Sequence, residues 1–220
     1  MKEIFPSVYK EGKNIYTKNL VPGKRVYGEK LIKIGDKEFR EWNPTRSKLS
    51  SSILNGLKEL PIKESSKIIY LGASTGTTAS HISDIIGYDG IIYAIEFAER
   101  VFRNLLELCK YRKNIAPIFA DARKIEDYYW IEECDVVYVD IAQPDEVDIA
   151  IRNANKFLKE NGFLMIAVKS QSIDVTKKPE EIYREERKKL EKAGFVVLQI
   201  INLEPYEQKH AMIIARKKNL

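Results

Sequence analysis

Several apolar runs in this 220-residue chain end on polar groups, and those ends carry most of the residues that could do chemistry. Lys67–Leu71 leads into Gly72-Ala73-Ser74-Thr75-Gly76-Thr77-Thr78, where the two glycines permit a tight turn and close approach of a ligand to backbone N–H groups. Glu96 lies twenty residues beyond Gly76, at the end of the second apolar run. A carboxylate there accepts both ribose hydroxyls of a nucleotide-like cofactor. Asp121-Ala122 and Asp140-Ile141-Ala142-Gln143 close two further runs. Either aspartate alone reads as a helix N-cap. Ligands of open parallel sheets sit outside the carboxyl ends of the strands, so the four ends together predict one crevice holding an adenosine. The loop has neither the third glycine of GxGxxG nor a GK[ST] sequence, which disfavours dinucleotides such as NAD and a P-loop phosphate.

Lys169 ends the fifth strand of this series, 29 residues after Asp140. Partial desolvation would favour its neutral, proton-accepting form, Asp140 would oppose that, and the bland reading is a snorkelling lysine. His210, just before the last apolar run, reads in isolation as a turn or cap residue. Arg40-Glu41-Trp42-Asn43-Pro44-Thr45-Arg46-Ser47-Lys48 joins cations, an aromatic and a proline, either as a nucleic-acid surface or as a linker whose Trp42 packs on the core. Residues 72–76 also spell G-x-S-x-G, with Asp140 or Asp174 and then His210 in hydrolase order. That alternative is weak, because Ser74 follows the first strand of its sheet and Glu96 is left without a task.

The elements that must position these groups fall into two parts. In residues 1–50, short apolar stretches are broken by Val21-Pro22-Gly23, Gly28 and Gly35-Asp36, the last a two-residue hairpin turn, which predicts a small antiparallel β domain and junction. Residues 51–220 alternate strand and helix: strands at 67–71, 91–97, 116–120, 135–141, 162–170, 195–203 and 211–216, and helices at 77–86, 99–112, 144–159 and 179–193. Near-continuous apolar strands imply a parallel sheet covered on both faces. The short link from Glu204 to Lys209 requires one antiparallel return. The expected class is α/β, a doubly wound Rossmann-like sheet with one reversed strand, preceded by the small β domain.

Composition sets the outer limits. The chain is 44% hydrophobic and 31% charged, as in globular proteins, and no run approaches the roughly 18 apolar residues of a membrane span. The N-terminus lacks a secretory apolar region, so a cytoplasmic protein without membrane association is expected. Cys109 and Cys134 alone exclude a disulfide framework, and with only His81 and His210 besides, no metal site is expected. Lys plus Arg at 37 against 32 acidic residues gives a net charge of +5, compatible with a polyanionic partner.

YLGASTGTTASHISDIIG, IYAIEF, FADAR, DIAQPD, AVKSQSIDVT and EPYEQKHAM, in that order and with REWNPTRSKL upstream, resemble the fibrillarin family over essentially the whole chain. The Gly/Arg-rich tail of eukaryotic members is absent, so the resemblance is to the shorter archaeal form. It implies an S-adenosylmethionine-dependent methyltransferase acting on ribose 2′-hydroxyls of rRNA and tRNA. The implied setting is a box C/D ribonucleoprotein with a guide RNA, a Nop-family scaffold protein and a kink-turn-binding ribosomal-type protein. It implies cofactor contacts at Thr77, Thr78, Glu96, Phe97, Asp121, Ala122 and Asp140 through Gln143, beside the loop residues Gly72, Ala73 and Gly76. It also implies a catalytic Lys48, Asp140, Lys169, His210 set, in which Lys169 handles the hydroxyl proton with Asp140 orienting it. Two positions depart from the family pattern: Lys209, commonly acidic, and Ser74-Thr75, usually smaller residues.

Overall fold

The computed structural model describes residues 1–218. In the N-terminal part, β1 (Lys2–Phe5), β2 (Val8–Glu11), β3 (Asn14–Lys18), β4 (Leu31–Ile34) and β5 (Lys37–Glu41) form an antiparallel sheet in the order β1-β2-β3-β5-β4. Ile34 pairs with Lys37, so Gly35-Asp36 is the two-residue turn expected, and Gly35 takes the positive φ that such turns need. The leading β1–β2 hairpin escapes the sequence reading. Its strands are four residues each, with polar and apolar residues in adjacent pairs rather than in alternation, so no period-two apolar signal marks them.

A single 3₁₀ turn, Pro44–Arg46, leads into α1 (Lys48–Leu54), which crosses residue 50. Sequence reading passes over α1 because its centre is Ser50-Ser51-Ser52, yet all three serines are buried. Their hydroxyls donate to the carbonyls of Trp42, Pro44 and Leu49 at 2.7–2.8 Å, which satisfies the polar atoms inside the core.

The second part contains β6 (Lys67–Leu71), α2 (Thr77–Ile86), β7 (Ile91–Glu96), α3 (Glu99–Cys109), β8 (Ile115–Phe119), β9 (Cys134–Val139), α4 (Glu146–Phe157), β10 (Leu158–Lys169), α5 (Ser170–Ile173), α6 (Pro179–Lys192), β11 (Phe195–Asn202) and β12 (His210–Lys217). The seven-stranded sheet runs β11-β12-β10-β9-β6-β7-β8, with β12 antiparallel to both neighbours, as the short final link demands. Strand order reverses between β6 and β9, which places the ligand crevice at their carboxyl ends. Alternation along β6 sends Ile68 and Tyr70 to one core layer with Trp42, Leu49 and Ile82. Ile69 and Leu71 go to the other layer, with Tyr128, Val139 and Phe157. Among the described residues no helix is long and apolar enough to cross a membrane, and no cluster of His, Cys, Asp and Glu suits a metal.

One buried ionic node joins the two parts. Asp84, on α2, accepts Arg40 Nη1 from β5 and Arg112 Nη1 from the link before β8, each at 2.7 Å, with all three side chains 0% exposed. The carboxylate also accepts Thr17 Oγ1 at 2.7 Å and the Leu20 amide at 2.9 Å. Arg40 is held further by Glu29, and Trp42 stacks on His81 with ring centroids 4.8 Å apart. Burial and the two arginines push His81 well below its ordinary pKa, so its ring is neutral. Arg40 and Trp42 therefore belong to the core, and of the cluster 40–48 only its later part is left for a surface role. Replacing Asp84 by Ala leaves the buried Arg112 guanidinium without a carboxylate and Arg40 with Glu29 alone, and should cost about 3–5 kcal/mol of stability, read as a lower urea midpoint; a change under about 1 kcal/mol would deny the node its structural role.

Candidate active site

The glycine loop owes its form to a backbone collision that it avoids. At Gly72 (φ +81°), a Cβ would lie 2.4 Å from the Asp140 carbonyl oxygen, and the Asp140 amide donates to the Leu71 carbonyl at 2.9 Å. The ends of β6 and β9 are thus pressed together. Four of the loop amides are spent on the protein's own acceptors rather than turned toward a ligand as the sequence suggested. Those of Gly72 and Ala73 donate to the Ile95 carbonyl at 2.9 and 3.1 Å, that of Gly76 to Ala73 at 2.9 Å, and that of Ser74 to Glu96 at 2.9 Å. Gly76 is outside the cleft: its φ is +87° and a Cβ would meet Leu108 at 2.3 Å, so glycine there serves the packing of α3.

Two adjoining cavities open at the strand ends and share Gly72, Ser74, Asp140, Ile141 and Ala142. The first, of about 280 Å³, is walled by Glu96, Phe97, Asp121, Ala122, Ile141 and Gln143. Glu96 is nearly buried, its carboxylate fixed by the amides of Ser74 (2.9 Å) and Ala98 (2.7 Å), which leaves each oxygen a lone pair for a diol. Phe97 is 56% exposed, a free aromatic face at the mouth. Arg123 bonds Gln143 at 2.9 Å and Asp145 at 2.7 Å, drawing the loops after β8 and β9 together.

The second cavity, of about 410 Å³, gathers Arg46, Lys48, Ala73, Thr77, Thr78, Asp140, Lys169 and His210. Lys48, the first residue of α1, pairs with Asp140 Oδ1 at 2.6 Å, and Asp140 holds its pKa up against burial, so the ammonium stays charged. Asp140 therefore orients Lys48, whereas the sequence reading assigned it to Lys169. Lys169 and His210 are direct partners across the β10–β12 ladder. His210 Nδ1 lies 2.7 Å from the Gln208 carbonyl, and burial, with the Lys48 charge adding to it, lowers the ring pKa. The neutral ring donates from Nδ1, which leaves Nε2 an acceptor. Thr78 Oγ1 donates to Ser47 Oγ at 2.9 Å, tying α2 to the start of α1.

This arrangement does not assemble a hydrolase triad. Among the described residues no carboxylate is bonded to His210, Asp140 is committed to Lys48, and Asp174 accepts from Thr176 instead. A nucleoside-sized cleft beside a cavity of one carboxylate, cationic side chains and a neutral imidazole suits group transfer to a hydroxyl.

The fibrillarin family model matches residues 1–219. The chain belongs to the fibrillarin family. A fibrillarin-like rRNA/tRNA 2′-O-methyltransferase of Sulfolobus acidocaldarius is 54% identical over 218 residues, covering 98% of this chain and 94% of that protein. The solved Methanococcus jannaschii fibrillarin pre-rRNA processing protein superposes with a TM-score of 0.95 at 50% identity, covering 100% and 97% of the two chains. Aeropyrum pernix fibrillarin, solved with natively bound S-adenosyl-L-methionine, has a TM-score of 0.86 at 50% identity and 92% and 88% coverage. A fibrillarin/Nop5p complex gives 0.88 at 40% identity, with 99% and 100% coverage.

Two residues of this fibrillarin-family site were missed by sequence reasoning, Arg46 (weighed only as one cation of a cluster) and Glu146. Glu146 opens α4, is 0% exposed, and accepts the Lys169 amide at 3.0 Å through Oε1, while Oε2 has no partner. It thus ties the end of β10 to the helix that follows the Asp140 loop. An acidic residue early in a helix looks like an ordinary dipole partner, and nothing in its local sequence signals burial. Burial foremost, then Asp140 and Glu186, raise its pKa to about 9, against the lowering effects of the Lys169 amide and Lys48. The folded state therefore holds a proton that the unfolded chain releases in the ordinary carboxylate range. Stability from this group is full below that range and is lost as pH rises toward about 9. Glu146→Gln removes the titration and should raise Tm at pH 8.5 by several degrees while barely changing it at pH 4; an equal shift at both would refute the protonated carboxyl.

Proposed function

We propose that this chain is the S-adenosylmethionine-dependent RNA ribose 2′-O-methyltransferase of a box C/D ribonucleoprotein, acting on rRNA and tRNA. The observation that carries the reading is the convergence of Lys48, Asp140, Lys169 and His210 on one cavity that adjoins the Glu96 cleft. Family membership supports it, as do the activity in the relatives' names and the S-adenosyl-L-methionine in a solved member.

The residues of the cleft fit the cofactor. Glu96, with both oxygens pre-oriented, would take the ribose diol, Asp121 the adenine amine, and Phe97 and Ile141 the faces of the base. Ala122, Ala142 and Gln143 would complete the adenine side, and Gly72, Ala73 and Thr77 the side toward the reacting centre. Bound S-adenosylmethionine supplies an electrophilic methyl group on a sulfonium. The protein's part is to hold the acceptor hydroxyl in line and to receive its proton, work in which positioning supplies much of the rate. His210 Nε2, an acceptor, is suited to orient the target 2′-hydroxyl. Lys48, clamped by Asp140, brings a fixed positive charge to the attacking oxygen's side. The Lys169 amine, free of any ion pair among the described residues, takes the departing proton or stabilises the charge left behind.

Target choice would fall to a guide RNA through base pairing, since the cavity offers no surface for reading a sequence of bases. The solved fibrillarin/Nop5p complex supports a Nop-family scaffold partner, and a kink-turn-binding ribosomal-type protein would complete the particle.

Calorimetric titration of the chain should give saturable binding of S-adenosylmethionine and none of NAD. Lys169→Ala should lower methylation in the assembled particle by about 10²-fold or more with cofactor affinity within about twofold of wild type. Glu96→Ala should weaken cofactor binding by about tenfold or more. Equal loss of binding and turnover in the Lys169 variant would remove it from the proton's path.

A further inference from the structure

Arg46 lines the catalytic cavity, yet the chemistry above gives it no task. It is exposed, and among the described residues no carboxylate lies within ion-pair distance of it. Its guanidinium carbon stands 5.9 Å from the centroid of the Tyr27 ring. That ring is itself anchored: Tyr27 Oη lies 2.8 Å from His81 Nε2 and 3.0 Å from the Glu41 carbonyl, and accepts the Asn43 amide at 3.3 Å. The cation is therefore seated on an aromatic shelf fixed to the buried node, with its hydrogen-bonding edge free.

Arg46 also lines a second, neighbouring groove of about 470 Å³ on the N-terminal sheet, with Arg25, Tyr27, Lys30, Glu41 and Asn43. Arg25 and Lys30 are exposed. The other carboxylate there, Glu29, is buried and already held by Arg40 and by the amides of Val26 and Tyr27. Glu41 alone stands against three cations, so the groove is positively charged and runs on from the catalytic cavity through one shared residue.

We propose that this groove carries the target RNA strand, with Arg46 gripping the phosphate beside the reacting ribose and Arg25 and Lys30 contacting phosphates further along. The inference rests on the proposed function. Its own grounds are charge complementarity and continuity with the cavity. A nucleotide whose 2′-hydroxyl enters the cavity keeps its phosphates at the mouth, where Arg46 lies, and a guanidinium stacked on one face still offers parallel N–H donors to a phosphate. An acidic protein segment would have no reason to continue into the catalytic cavity.

The test uses the reconstituted particle with guide and target RNA, varying target and salt, with cofactor affinity measured separately. Arg46→Ala should raise the target KM by about tenfold or more, keep cofactor affinity within about twofold, and reduce the slope of log affinity against log salt by about one unit. Arg46→Lys should recover part of the loss, because it keeps charge without the planar fork. Arg25→Ala with Lys30→Ala should lower the slope by about two units. An unchanged KM and salt slope in the Arg46→Ala particle would overturn the proposal, as would loss of cofactor binding or failure of that variant to assemble. A wild-type particle that binds cofactor but methylates no RNA would instead overturn the proposed function.

Discussion

The Asp84 carboxylate sets where the acceptor side of the molecule can be. It neutralises Arg40 from the N-terminal sheet and Arg112 from the α/β part in one dry site, so neither guanidinium can leave without stranding the other charges. Because Arg40 is held, Trp42 two residues later is held as well, stacked on His81. The chain must then turn through Pro44–Arg46 over the carboxyl ends of β6 and β9. That turn delivers Lys48 to Asp140 and Arg46 to the cavity's rim. A distant structural ion cluster thereby fixes the approach of two cations to the site.

Within the site, burial restricts which groups carry charge. His210 is neutral because it is desolvated and near Lys48, and Glu146 is neutral because it is desolvated near Asp140 and Glu186. Charge is left on the Lys48–Asp140 pair, on Lys169 and on Arg46. One carboxylate among three cations makes the cavity positive, which suits an anionic strand and the developing alkoxide of a hydroxyl that loses its proton. With Glu146 neutral, its latch on the Lys169 amide adds no second negative charge to the cavity.

Much of this was legible in the sequence, for physical reasons that differ by element. The β/α alternation, the reversed last strand and the Gly35-Asp36 turn follow from apolar runs and link lengths, and the structure has all of them. The two cavities also collect Glu96, Asp121, Asp140, Lys169 and His210, because strand ends in an open sheet must meet at one edge. What failed was inference from local type alone. Gly76 looked like part of a ligand loop but makes room for Leu108. Arg40, weighed as one cation of a nucleic-acid surface, is core, while Trp42 packs on the core as the linker alternative had it. Glu146 was invisible for the same reason. In each case the deciding partner is distant in the chain, as Asp84 is from Arg40, and no local pattern encodes it.

Asp140 is the point at which the two halves of the reaction meet. Its carbonyl presses on Gly72, its amide is bonded to Leu71, and its carboxylate clamps Lys48, so a single residue borders the cofactor cleft and holds a cation of the acceptor side. Glu96, by contrast, is fixed wholly within the α/β part, by the amides of Ser74 and Ala98. A small shift of the N-terminal sheet would therefore move Arg46 and Lys48 relative to the strand ends and leave the Glu96 cleft as it is. Cofactor binding is then a property of the seven-stranded sheet, and acceptor positioning a property of the joint between the sheets. That division gives the leading β part a physical reason to be there: it supplies cations from outside the sheet at the one edge where the strands themselves supply carboxylates.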